Sequence, residues 1–173
     1  MAKVEQVATS SFEKDFIFIL ADIGQKAAER AYNSASFRNR LGNLRDSYGS
    51  AVYRNGVLLE DTIKFGGPQE ISKGPNLRRP KLGTTGREAL NIWLKKRHYG
   101  ATNNEITLVV VAAMWYANAV EKKGFRVIQE VAYQYISEQE PRLRKLLKAK
   151  GWPEEFARAI GVGRYSKNID KDV

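Results

Sequence analysis

Cysteine is absent from this 173-residue chain. That removes disulfides and thiolate metal sites and suits assembly in a reducing cytoplasm. Histidine occurs once, as His98, so His-rich zinc centres and most histidine-based catalytic arrangements are excluded. No apolar run approaches the roughly 20 residues of a membrane span. Met1-Ala2-Lys3-Val4-Glu5 lacks the apolar region of a signal peptide. A phosphate-cradling glycine loop is missing too: Gly161-x-Gly163 has no third glycine, no strand before it and no helix after it. No Ser/His/Asp arrangement has support, because His98 closes a lysine-rich helix end. Of the neighbouring carboxylates, Glu154-Glu155 open a helix and Asp170/Asp172 sit in the tail. Metal-dependent nuclease chemistry needs carboxylates that converge from separate elements, and Glu60, Asp61, Glu105 and Glu121 are the scattered set available for it. The expectation is a protein without enzymatic activity, cofactor or metal. No internal repeat occurs.

Basic charge and a substantial apolar fraction are what the chain does have. Apolar residues make up 43%, enough for a packed core, and the length fits one domain. At this size about two-thirds of the unfolded surface is buried. The net charge is +10, which draws polyanions, DNA or RNA first among them. The competing reading is that the excess cations sit on solvated faces or meet acidic neighbours in an assembly.

Periodicity predicts a helix over residues 12–34, with Phe12, Phe16, Ile19, Leu20, Ile23, Ala27 and Ala31 on its apolar stripe. Ser10 and Glu13 have capping-box spacing. A polar, basic connection over residues 36–46 follows, in which Gly42 is expected to take a backbone angle that a side chain resists, and Leu44 to turn inward. Ser47–Arg54 and Val57–Phe65 flank Asn55-Gly56, the strongest short hairpin signal, since a type I′ turn needs positive φ at both central positions. Thr85 and Glu88 open a helix from Gly86 to about His98, with Ala89, Leu90, Trp93 and Leu94 as its apolar face. Lys95-Lys96-Arg97 in its last turn complement the helix dipole. The β-branched run within Glu105–Met114 reads as a buried central strand, and a further short strand is allowed near Phe125. Arg126–Lys150 reads as a long helix that Pro141 either kinks or restarts. The fold class expected is α+β: a small antiparallel sheet with a β-hairpin, flanked by an N-terminal, a middle and a long C-terminal helix. Residues 1–151 are expected to form one domain, and 152–173 a partly flexible extension.

The segment from Gly66 to Gly86 is the most distinctive connection. It holds three prolines and five glycines in 21 residues, and sets Lys73, Arg78, Arg79 and Lys81 against Glu70. Structureless loops of this length are uncommon in compact domains and are usually functional or disordered. The expectation is a loop that is mobile in the isolated subunit and ordered between subunits, with its cations on an acidic partner surface or on DNA.

Two separated segments carry a resemblance. The first runs from Ser36 to Tyr48 and contains Arg40-Leu41-Gly42-Asn43-Leu44-Arg45-Asp46-Ser47. The second is Trp115-Tyr116-Ala117-Asn118-Ala119-Val120-Glu121-Lys122-Lys123-Gly124. In this order they resemble the small neck proteins of tailed bacteriophages, the head–tail connector or tail-completion family. That family's pattern is a basic-Thr-Gly-x-Leu-basic-x-Ser turn, a strand, then Tyr-Ala-x-x-Val-Glu-x-Gly before a C-terminal helix. Here Leu41 stands in place of the Thr, and Lys122-Lys123 adds one residue before Gly124. The match covers roughly residues 12–150. The resemblance implies a structural virion protein that forms a homo-oligomeric ring and joins the portal side of the capsid to the tail around the genome channel. The implied partners are further copies, the portal, adaptor and tail proteins, and DNA in passing, with no membrane and no small-molecule substrate. The implied location is the virion, after assembly in the host cytoplasm. Arg38, Arg40, Arg45, Lys73, Arg78, Arg79 and Lys81 become candidates for a subunit interface or the DNA channel. Gly42, Leu44, Ser47, Tyr116, Val120, Glu121 and Gly124 become structural motif positions. The alternative is a basic protein that binds nucleic acid alone and without regard to sequence.

Overall fold

The computed structural model describes residues 11–36, 43–67, 86–99, 105–114, 117, 120, 122–125, 127–152 and 154. Helix α1 spans Ser11–Ser34. Its buried side is Ile17, Leu20, Ala21, Ala27, Ala28 and Ala31, at three- and four-residue steps. Phe16, Ile19 and Ile23 stand half-buried at its margin. The stripe is therefore turned toward the small residues, and Gly24 shows why. A Cβ there would lie 2.6 Å from the Ser50 Oγ and 2.7 Å from the Leu108 Cδ1. Small side chains let α1 lie close on the sheet, and the bulkier ones fill its flanks.

Strands β1 (Tyr48–Arg54) and β2 (Val57–Phe65) form the hairpin. Asn55 at φ 51° and Gly56 at φ 79° give the left-handed pair that a type I′ turn requires. Strand β3 (Ile106–Ala112) pairs antiparallel with the other side of β1, so the order is β2-β1-β3. The fold is α+β, with a three-stranded antiparallel sheet and helices at both ends of the chain. The apolar run of β3 was expected to be central; instead β1 holds the centre. Its residues Tyr48 to Tyr53 are all buried, because helices cover both sides. Val52 joins Ile17, Leu20 and Ala21 of α1. Ala51 and Tyr53 join Leu90 and Leu94 on the opposite face. A strand buried on both faces has no polar side to alternate with, so its sequence pattern is irregular.

Leu90 and Leu94 belong to α3 (Gly86–Lys96), which ends earlier than the expected His98. Each such leucine, fully buried, contributes about 1.5–3 kcal/mol. The Tyr53 hydroxyl donates to the Leu94 carbonyl at 2.8 Å, and its ring meets Tyr99 edge-on at 5.3 Å. Helix α4 (Gln129–Ala149) starts later than Arg126 and runs through the exposed Pro141 as one helix. It packs on the α1 side of the sheet, where Ala132 meets Val110 of β3 and Leu143 joins the α1 cluster. Gly151 at φ 76° ends it, and the Trp152 N–H turns back to the Leu147 carbonyl at 3.0 Å. The Trp152 ring then lies 5.4 Å from that of Phe16. Two further expectations differ. Asn43–Asp46, read as plain connection, forms the single-turn helix α2, and residues 122–124 form a turn where a strand near Phe125 was allowed.

Candidate assembly surface

Leu44 lies in α2 and is 2% exposed. It shares one core cluster with Ala31, Tyr48, Met114, Ala117 and Val127, against which Val120 packs. The two motif segments, far apart in sequence, thus meet at one corner of the fold. Ser47 fastens them. Its Oγ donates to the Leu44 carbonyl at 2.7 Å and accepts the Met114 N–H at 3.3 Å. Its backbone carbonyl takes the Ala113 N–H at 3.2 Å. One small hydroxyl therefore closes the α2 turn and holds the exit of β3.

Gly124 sits at φ 83°, with nothing within 4 Å of where a Cβ would be. Its demand for glycine is conformational, not steric. Lys122, Lys123, Gly124 and Phe125 are all exposed around it. Arg45 is half-buried on its own chain: its Nη2 donates to the Ala35 carbonyl at 3.3 Å and its guanidinium stands over Tyr32 at 5.5 Å. It ties α2 to the end of α1.

Arg38, Arg40, Gly42, Lys73, Arg78, Arg79, Lys81, Tyr116 and Glu121 lie outside the described residues, as does the stretch 68–85 that holds the loop cations. The two ends of that stretch are joined. The Arg87 Nη2 donates to the Gly67 carbonyl at 2.8 Å, and its guanidinium lies 4.4 Å from the Phe65 ring centroid. Sequence reading passed over Arg87, which differs from its basic neighbours only through these contacts.

A second set of cations lies on α4. Arg144 bonds Glu140 one turn back, Lys148 reaches Glu154 at 3.5 Å, and Lys150 reaches Asp15 at 3.0 Å. Arg142 and Lys145 project from the exposed side. Among the described residues, no group of three or more His, Asp or Glu stands close enough to hold a metal ion. Among the same residues no helix is long and apolar enough to cross a membrane. Burial, with a smaller contribution from Tyr99, pushes the Tyr53 hydroxyl up to about 12. With its bond to Leu94, that marks a packing anchor for α3.

Comparison of the chain with known protein families, curated proteins and solved structures finds no match.

Proposed function

We propose that this protein is a non-enzymatic subunit of a ring in the neck of a tailed bacteriophage, between the portal side of the capsid and the tail. One observation carries the reading. The two segments that resemble the neck family, Arg40–Ser47 and Trp115–Gly124, converge in one core cluster through Leu44, Ala117 and Val120, while Ser47 holds Met114 just ahead of the second. Segments that meet in space make one architectural unit, and the resemblance assigns that unit to a subunit repeated around a channel. The net charge of +10 suits a body that stands beside DNA without reading bases.

Cryo-electron microscopy of virions, with mass spectrometry of their proteins, tests the reading. The expected result is this chain in a ring below the portal. A protein that stays monomeric at high concentration with its partners, and that is missing from virions, would sink it. Salt-sensitive DNA binding by such a monomer would favour the lone nucleic-acid-binding protein instead.

A further inference from the structure

A head-to-tail ring needs two different surfaces on each subunit, one to meet the other on the next copy. The fold offers two such surfaces, one on the sheet and one on a helix. The first is the outer edge of β2, to which no strand among the described residues pairs. Between Leu59 and Lys64 this strand departs from its ladder, and the departure carries Glu60 and Asp61 into solvent. Val57, 62% exposed, lies on the same strand. The other surface belongs to α4, which packs on the α1 side of the sheet. Its exposed surface presents Arg142, Lys145 and the apolar Leu146. Residues three and four apart on a helix are neighbours, so these three form one small basic and apolar patch.

From this complementarity we infer that the β2 edge around Glu60 and Asp61 receives the Arg142–Leu146 patch of a second copy of this chain. The inference rests on the ring reading and names its contact. Among the described residues no ion pair engages Asp61, Arg142 or Lys145, whereas Glu60 is met by Lys95 at 3.2 Å. The unengaged charges of the two surfaces thus have opposite signs. Each surface also brings one exposed apolar residue, Val57 on one and Leu146 on the other. A nucleic acid fits α4 less well. Phosphates repeat along a track and favour a long row of cations. Here Arg144, Lys148 and Lys150 are each neutralised by a carboxylate of the same chain, and two cations remain. Two cations suit a short acidic edge, on which Asp61 is the carboxylate without an ion pair among the described residues and Glu60 meets Lys95.

The cysteine-free chain makes a clean test possible. A variant with both Asp61→Cys and Lys145→Cys is treated with a short bis-maleimide under conditions in which the protein assembles, and the products are separated by denaturing electrophoresis. The expected result is a ladder of covalent oligomers from the double variant and none from either single variant. A link within one subunit leaves a band of monomer mass, so the ladder reports only links between copies. Strong dimers from one single variant would show a two-fold contact and overturn the inference. In parallel, Asp61→Lys should move the concentration midpoint of assembly upward by about threefold or more, and adding Asp61→Lys to Lys145→Asp should recover part of it, as attraction replaces repulsion. Rings that form without a ladder and ignore the charge reversals would overturn this contact and leave the ring reading standing. Absence of any assembly and absence from virions would remove both. If Arg142→Glu with Lys145→Glu abolished DNA binding and left assembly unchanged, the α4 patch would belong to nucleic acid and the inference would fall.

Discussion

β1 makes seven consecutive pairs with β3 but only five with β2, split by an irregularity. The two ladders share one strand and differ in how the partner arrives. β2 is joined to β1 by a two-residue turn, which fixes the register at Arg54↔Val57. β3 arrives after α3, and no short turn dictates its alignment. Yet the constrained ladder is the broken one. Glu60, Asp61, Thr62 and Ile63 stand opposite the single Ala51. Thr62 repairs the gap. Its Oγ1 accepts the Val52 N–H at 2.8 Å and donates to the Leu59 carbonyl at 2.6 Å. A side-chain hydroxyl thus takes the place of a backbone group, and the buried amide keeps a partner. A tight turn fixes register only near itself. Farther along, packing decides: Gly66, just past β2, touches the Ala28 backbone of α1 so closely that a Cβ would lie 2.7 Å from its carbonyl oxygen.

The largest effect is expected where the broken ladder is squeezed against α3. Gly49 pairs with Phe65, and a Cβ there would strike Leu90 and come within 2.6 Å of the Lys64 carbonyl oxygen. Gly49→Val should cost about 3 kcal/mol, the upper end of the usual overpacking penalty, because a backbone carbonyl cannot step aside. Chemical denaturation measures it, and a loss below about 1 kcal/mol would contradict this packing.

Thr62→Val should cost about 2 kcal/mol, since the buried Val52 N–H loses its acceptor. Thr62→Ser should restore most of the stability. Hydrogen exchange sharpens the contrast: amides of β2 should lose protection before those of β3. Equal loss on both ladders would show that Thr62 does not act locally.

At the corner where the motifs meet, Gly124→Ala should cost about 1 kcal/mol, all of it from a positive φ. No contact changes there, so the melting temperature should fall with both ladders equally protected.

The smallest effect is on pH dependence. Tyr53 lies in both ladders, opposite Leu58 and Thr107. Burial raises its hydroxyl above the ordinary tyrosine value of 10.0 to about 12. The folded state therefore favours the protonated form. Its contribution is complete below pH 10 and is lost as pH rises toward about 12, because the unfolded chain releases the proton first. Tyr53→Phe should flatten that part of the stability profile, and an unchanged slope would count against it.

Much of the fold could be read from local chemistry. Asn55-Gly56 carries its own turn geometry, so the bounds of β2 match those expected, Val57–Phe65. α1 ends at Ser34, where Asn33-Ser34 was the expected exit. The candidate site was less readable. Leu44 was expected to turn inward and is buried, but nothing in its neighbours tells that it would meet Ala117. Arg45 was expected at a subunit interface or the DNA channel, and only the fold brings Tyr32 and the Ala35 carbonyl to it.

By itself the sequence determined most of the elements, because turn residues and helical spacing act within a few residues. Which strand lies in the middle was decided by the tertiary structure. The run Ile106-Thr107-Leu108-Val109-Val110-Val111 is more apolar than Tyr48-Gly49-Ser50-Ala51-Val52-Tyr53, yet the second is the strand buried on both faces. Small residues at its centre let α1 and α3 approach from either side, and that fit exists only once both helices are in place.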